Sequence, residues 1–315
     1  MYEKKEFFYP SASGDTQIHA LVYLPKNEIR AIVQIAHGMV EYIERYEEFA
    51  DFLTSKGLLV TGNDHLGHGS SVTHKNRWGY FCEKNGNHVL LQDMYQLMTY
   101  TKKEYPGIPY FLLGHSMGSF YGRQFICEYG EHLHGAIIIG TGFPPLLTLK
   151  AGLFLCRFLA YNKGWEYRSS FVDHIAFGSY NKYFSPSETP KDWLTKDRKK
   201  VEEYLKEPRC NFTFTLNAYY NMFLGISRLH QKTFLKKAPS ALPLLFVSGK
   251  EDPVGDFSKS VLSSVKSLRS IGMTNIITIL YKNDRHEILN ETDRDTVYLD
   301  ILTWIEDQLK SPIIK

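Results

Sequence analysis

The chain has little of what classifies many proteins at a glance. Its 315 residues include four cysteines, Cys82, Cys127, Cys156 and Cys210, spaced too widely for a Cys-x-x-Cys pair or a metal-ligand cluster. They read as reduced thiols of a cytoplasmic protein, with Cys127 in a helix core. No segment approaches about 18 consecutive apolar residues, which excludes a membrane-spanning helix and implies a soluble protein. The opening "MYEKKEFFYPSASGDTQIHALVYLP" lacks the apolar core and small-residue cleavage site of a secretory signal, so export is not expected. Charge of one sign is also missing. Lys and Arg number 37 against 34 Asp and Glu, a formal net charge of +3, with no basic block to track a phosphate backbone, so nucleic acid is not an expected partner. Neither a Gly-x-x-x-x-Gly-Lys loop nor a Gly-x-Gly-x-x-Gly turn after a first strand occurs, and no cofactor is implied. Repeats and low-complexity tracts are absent.

What is present is the composition of an ordinary folded core, 43% hydrophobic and 14% aromatic. Residues 6–23 alternate apolar and polar side chains around the turn-rich "SASGDT", which predicts an antiparallel hairpin. The pattern then changes. "AIVQIA" (31–36), "GLLVTGN" (57–63), "IPYFLLG" (108–114), "GAIIIG" (135–140), "LPLLFVSG" (242–249) and "IITILY" (276–281) are short apolar runs suited to a parallel sheet covered on both faces. Residues 45–57, 90–105, 118–130, 258–272 and 293–310 place apolar side chains three and four apart and read as helices. Strand alternating with helix predicts an α/β fold. From Phe143 to Leu235 the rhythm breaks into Tyr-, Phe- and Leu-rich helical pieces. The expected division is therefore a core from 1–142 and 236–315, with a helical cap inserted over 143–235.

"FLLGHSMGSF" sets Gly-x-Ser-x-Gly at a strand-to-helix junction. A serine there is exposed on a sharp turn, and Gly114 and Gly118 flank it where strand and helix approach too closely for β-carbons. Ser116 is thus a candidate nucleophile, the bland alternative being a turn serine. A hydroxyl nucleophile needs a base, and the base an orienting carboxylate. In this arrangement the acid and then the histidine follow the serine, in loops after later strands. "LPLLFVSGKEDPVGD" puts Asp252 just past one strand, with Glu251 and Asp256 as alternative acids. "IITILYKNDRHEILNE" puts His286 just past the next. His115 points away from Ser116 on an extended backbone and reads as packing. Two backbone N–H groups are candidates for an oxyanion hole: that of Met117 at the helix start, and that of Met39 in the loop after "AIVQIA".

From about residue 27 the chain resembles the α/β-hydrolases grouped as serine aminopeptidase-like hydrolases, the branch holding monoacylglycerol lipases and bacterial lysophospholipases. The resemblance rests on "HGMVEYIERY", "NDHLGHGSS", "GHSMG", "GKEDPVGD" and "RHEILNE" in order, and on "DWLTKDRKKVEEYLKEPRCNFTFT" for the bacterial lysophospholipase type of cap. Tyr42 stands where the family usually has His, and "EPRCNF" where it usually has "DPxCGF". The resemblance implies the α/β-hydrolase fold, a mostly parallel sheet of about eight strands flanked by helices. It implies a Ser116–His286–Asp252 triad and a serine carboxylic-ester hydrolase acting on monoacylglycerol or lysophospholipid. It also implies that the loop of Asp64, His65 and His68 braces the active-site face rather than holding metal.

"HEIL" begins like a zinc-protease motif, but Asn290 occupies the place of the second histidine. The aromatic and aliphatic cap favours an apolar acyl chain over a sugar. "GLFLCRFLAY" reads as an acyl-lining or membrane-leaning helix, or as plain core, which leaves a transient lipid-surface contact through the cap among the expected partners. The sequence carries no signal for an oligomeric state. Two other functions stay open: an aminopeptidase, which needs a cap carboxylate such as Glu188, Asp192 or Glu202 to grip a free amine, and a small-ligand receptor of the same fold.

Overall fold

A short run with apolar side chains at nearly every position has no polar face to offer water, and it folds as a strand covered on both sides. The computed structural model describes residues 2–310. A hairpin of β1 (Glu3–Pro10) and β2 (Gln17–Leu24) is followed by β3 (Ala31–Ala36), β4 (Leu58–Asn63), β5 (Tyr110–His115), β6 (Gly135–Ile139), β7 (Leu244–Gly249) and β8 (Ile276–Tyr281). One sheet contains them all in the order β1-β2-β4-β3-β5-β6-β7-β8. β2 meets β4 antiparallel, and the pairs from β4 to β8 are parallel. Every residue of β3, β4, β5, β6 and β7 is buried, so five of the six apolar runs lie in the sheet interior as read. The sixth, "IITILY", is β8 at the edge of the sheet, where only Ile276 is buried and Ile277 is 47% exposed, so it is not covered on both faces as expected.

The two-residue period of the strands divides their side chains between two cores. Leu112, Ile138 and Phe246 share one with Met94, Phe125 and Val265. These last three lie on α2 (Gly86–Glu104), α3 (Met117–Tyr129) and α9 (Lys259–Arg269), while the opposite face is covered by α1 (Glu47–Ser55) and α10 (Arg294–Lys310). There Leu113, Ile137 and Val247 pack with Phe49 and Ile301. The connection from β6 to β7 runs through α4 (Leu146–Lys163), α5 (Ser170–Phe177), α6 (Arg198–Lys206), α7 (Leu216–Arg228) and the single turn α8 (Lys232–Leu235). Among the described residues no helix is long and apolar enough to cross a membrane.

α2 begins at Gly86, four residues before the apolar periodicity does. Its first turn is capped from a distance: the Asn87 N–H donates to Asn221 Oδ1 on α7, 134 residues away, a partner that local sequence does not show. α3 starts close against the end of β3. A β-carbon on Gly118 would lie 2.0 Å from the Ala36 carbonyl oxygen and 2.6 Å from that of His37.

Helix propensity favours Ala over Gly by about 1 kcal/mol, yet this contact reverses the sign. Gly118→Ala is expected to destabilise the protein by about 1–3 kcal/mol, measured as a lowered urea midpoint. An unchanged or raised midpoint would refute the close approach of α3 to β3.

Candidate active site

In an open α/β sheet, loops at the carboxyl ends of parallel strands gather along one edge. Ser116 stands there between β5 and α3 with φ 52° and ψ −116°, a conformation that costs a non-glycine residue about 1–3 kcal/mol. The surroundings enforce it. The Ser116 N–H donates to the Ile139 carbonyl at 3.0 Å, and the Ser116 carbonyl accepts from the Ser119 hydroxyl at 2.6 Å. A β-carbon on Gly114 would strike the Gly118 carbonyl at 2.3 Å.

Asp252, in the loop after β7, is fully buried. Its Oδ1 accepts from the Val254 N–H at 2.8 Å and lies 3.0 Å from His286 Nδ1. His286, in the loop after β8, is buried too, between the Trp193 ring at 5.1 Å and the His115 ring at 4.9 Å. With Nδ1 engaged by Asp252, Nε2 is the nitrogen left for a reacting group. Of the three candidate acids Asp252 is the one paired with this histidine; Asp256 is exposed at the cavity rim and Glu251 is half-buried. Ser116 and His286 line the same cavity without a hydrogen bond between them, and bonds of this kind commonly tighten only once substrate is bound.

Met39 and Met117 also line that cavity. Neither backbone N–H donates to a group of the described residues. The loop carrying Met39 touches the serine, since a β-carbon on Gly38 would lie 3.1 Å from Ser116 Cβ. What holds this loop is an element the sequence reading missed. Glu41 Oε1 accepts from the Gly38 N–H, from the Tyr46 hydroxyl at 2.8 Å and pairs with His115 Nδ1 at 3.1 Å. Its Oε2 takes Arg45 at 2.7 Å, and Arg45 grips both oxygens of Glu287 at 2.8 Å. Burial opposes ionisation of Glu41, but the His115 hydrogen bond and the Arg45 charge hold its carboxyl well below the ordinary range. Burial likewise works against a charged His115, yet its bond to Glu41 raises its pKa. His115 is thus both buried packing, as read, and a polar partner. Glu41 and Arg45 stand at helical i, i+4 spacing in "HGMVEYIERY", which was a local signal for the pair; Glu287 gave none.

Asp64 organises the loop behind. It pairs with His19 Nδ1 at 2.8 Å and accepts from the N–H groups of Ile43 at 2.8 Å and Ser70 at 2.7 Å. His65 and His68 pack with His37, at ring separations of 4.3 and 5.1 Å from it. The cavity measures about 890 Å³ and is roofed largely by the β6–β7 connection. Glu188, Asp192 and Glu202 are not among its lining residues. Glu188 and Asp192 pair with Arg198, and Glu202 with Lys206.

A family model described as "Serine aminopeptidase, S33" matches residues 27–293. The chain belongs to this family of α/β-hydrolases. It is 26% identical over 295 residues to a monoglyceride lipase homolog of Monkeypox virus, covering 93% of this chain and 95% of the relative. To a monoacylglycerol lipase of Mycolicibacterium smegmatis it is 25% identical over 306 residues, covering 94% and 95%. Among solved structures, a thermostable carboxyl esterase from Bacillus coagulans in complex with glycerol superposes with a TM-score of 0.90 at 27% identity, over 98% of this chain and 100% of that one. A soluble variant of Saccharomyces cerevisiae monoglyceride lipase shares the fold, with a TM-score of 0.76 at 18% identity, over 98% and 96%. The chain is an α/β-hydrolase of the esterase and lipase type.

Burial lowers His65 to about 4 and His68 to about 3, and holds His37 well below its ordinary value. Each stays neutral in the fold, whereas the unfolded chain takes up protons near pH 6.5. As pH falls from 6.5 toward 4 the unfolded state therefore binds more protons and stability drops, by up to about 1.4 kcal/mol per pH unit for each such histidine. His68→Phe, which preserves a ring against Phe81, Phe212 and Phe214, is expected to flatten this slope in thermal melts from pH 6.5 to 4. A slope equal to that of the wild type would mean that His68 is not held neutral.

Proposed function

We propose that the protein is a serine carboxylic-ester hydrolase that cleaves single-chain acyl esters, monoacylglycerols or lysophospholipids, through an acyl-enzyme. The observation that carries this reading is the buried Asp252–His286 pair at 3.0 Å, whose histidine lines the cavity that Ser116 enters from a strained turn. Ser116 Oγ attacks the ester carbonyl while His286 accepts its proton, and Asp252 orients the imidazole and stabilises its charged form. The oxyanion is received by the N–H groups of Met39 and Met117, each contributing about 3 kcal/mol to the transition state. His286 then returns the proton to the departing alcohol, and water, activated by the same imidazole, releases the acid. Similarity to monoglyceride lipases and to an esterase holding glycerol supports esters of this kind.

In this reading residues 143–235 form the cap, and its apolar lining takes the acyl chain. The outer face of α4 adds a means of meeting lipid. Leu147, Phe154, Phe158 and Tyr161 recur at intervals of seven, four and three residues, exposed by 79%, 73%, 58% and 92%. Exposed Lys150, Arg157 and Lys163 accompany them, the make-up of a helix that rests on a membrane surface. A reducing, cytoplasmic setting is supported by four unpaired cysteines, all buried.

A fluorophosphonate probe is expected to label the wild type stoichiometrically at Ser116 and to leave Ser116→Ala unlabelled. His286→Ala is expected to lower kcat on p-nitrophenyl acyl esters by about 10⁴-fold or more. A folded wild type that neither labels nor hydrolyses any ester would sink the proposal and favour a ligand receptor. For the lipid contact, the double variant Leu147→Ser, Phe154→Ser is expected to co-sediment less than the wild type with phosphatidylglycerol-containing vesicles; equal binding counts against α4 as the contact.

A further inference from the structure

The cavity has two unlike wings. Toward α4, α5 and α7 its walls are Leu149, Leu155, Val172, Ala176, Met222 and Phe223. Toward α6, the segments flanking it and the loop after β8, the polar groups of Lys191, Tyr204, Asn211 and Glu287 stand among apolar Trp193, Leu194 and Phe212. Among the described residues that line the cavity, Lys191 is the only Lys or Arg. Its ammonium lies 5.6 Å from the centre of the Tyr204 ring, and no carboxylate of the described residues is within ion-pair distance of it. The nearby acids have other commitments: Glu41 and Glu287 hold Arg45, and Asp173 accepts from the Tyr219 hydroxyl. Burial pushes the Lys191 ammonium down from its ordinary pKa, against the pull of the Asp173 and Glu287 charges.

Lys191 also lines the same cavity as Ser116 and His286. Two residues on, the Trp193 ring lies 5.1 Å from that of His286. An ester bound with its acyl chain in the apolar wing must send its alcohol portion toward the polar one. A half-desolvated ammonium without a counter-ion gains far more from an oxyanion than from a neutral hydroxyl, because the bond it forms is charge-assisted at both ends. We infer that Lys191 is a specificity-determining residue that receives a phosphate on the leaving-group side of the ester, so that the enzyme favours single-chain acyl esters of phosphorylated glycerol over neutral monoacylglycerol. This rests on the ester-hydrolase reading above and narrows its substrate class.

The test compares 1-octanoyl-glycerol with 1-octanoyl-glycerol-3-phosphate, esters short enough to be used as monomers, so that surface binding through α4 does not enter. Octanoate release gives kcat/KM for each, and their ratio is the readout for wild type, Lys191→Met, Lys191→Gln and Lys191→Arg, each checked by thermal melting. The wild type is expected to favour the phosphate ester. Lys191→Met and Lys191→Gln are expected to lower the phosphate-to-neutral ratio about tenfold, mainly through KM, and Lys191→Arg to retain it. Tenfold corresponds to about 1.4 kcal/mol of lost interaction. A ratio unmoved by Lys191→Met or Lys191→Gln, or a fall of both rates together, would overturn the inference while leaving the hydrolase reading intact. If the folded wild type hydrolyses neither ester, both fall together.

Discussion

Arg45 joins two buried carboxylates whose loops come from distant parts of the chain. Glu41 follows β3 and Glu287 follows β8, 242 residues beyond Arg45, and the guanidinium binds both within 2.8 Å. Removing these charges from water is expensive, and only close geometry with nearly every donor and acceptor engaged offsets it. His115 adds to this network through its Nδ1, and although burial works against a charged ring, the bond to Glu41 raises its pKa. Glu41 in turn fixes the Gly38 N–H, and Glu287 adjoins His286. The loop carrying Met39 and the loop carrying His286 are thereby linked to each other through one ionic network beside Ser116.

Much of the scaffold was legible because it obeys simple rules. Five interior strands have no polar face, so their apolar runs marked them within one or two residues. The turn at Ser116 was marked by glycines whose absence of a β-carbon is required on both sides. The spacing also put Ser116, Asp252 and His286 at three strand ends, and the structure brings Ser116 and His286 to one cavity, with Asp252 buried against His286. What escaped the sequence depends on pairings between remote segments. The cap on the first turn of α2 comes from Asn221, and Glu287 as the partner of Arg45 follows from no local pattern. Helical detail between β6 and β7 was obscured for another reason. On α4, Ala160 is buried in the core, Leu149 and Leu155 face the cavity and Phe154 is exposed, so apolar residues serve three environments and leave no single stripe to read.

The same contrast explains how one chain can hold a charged floor beneath an apolar roof. The acids and bases under the cavity are compensated among themselves, and His37, His65 and His68 are held neutral by burial. The β6–β7 connection contributes none of Ser116, Asp252 or His286, yet it supplies much of the lining and is pinned to the floor at chosen points. The Glu287 N–H donates to the Leu194 carbonyl at 2.7 Å, and the Tyr204 hydroxyl to the Val40 carbonyl at 3.0 Å. Both pins lie on the polar wing, beside Lys191, so that wing is fixed with respect to His286 and can discriminate groups by position. The opposite wing, built from α4 and α5 with their exposed aromatic faces, has no such hydrogen bond to the His286 loop among the described residues, and its apolar walls hold by area covered rather than by the direction of a bond.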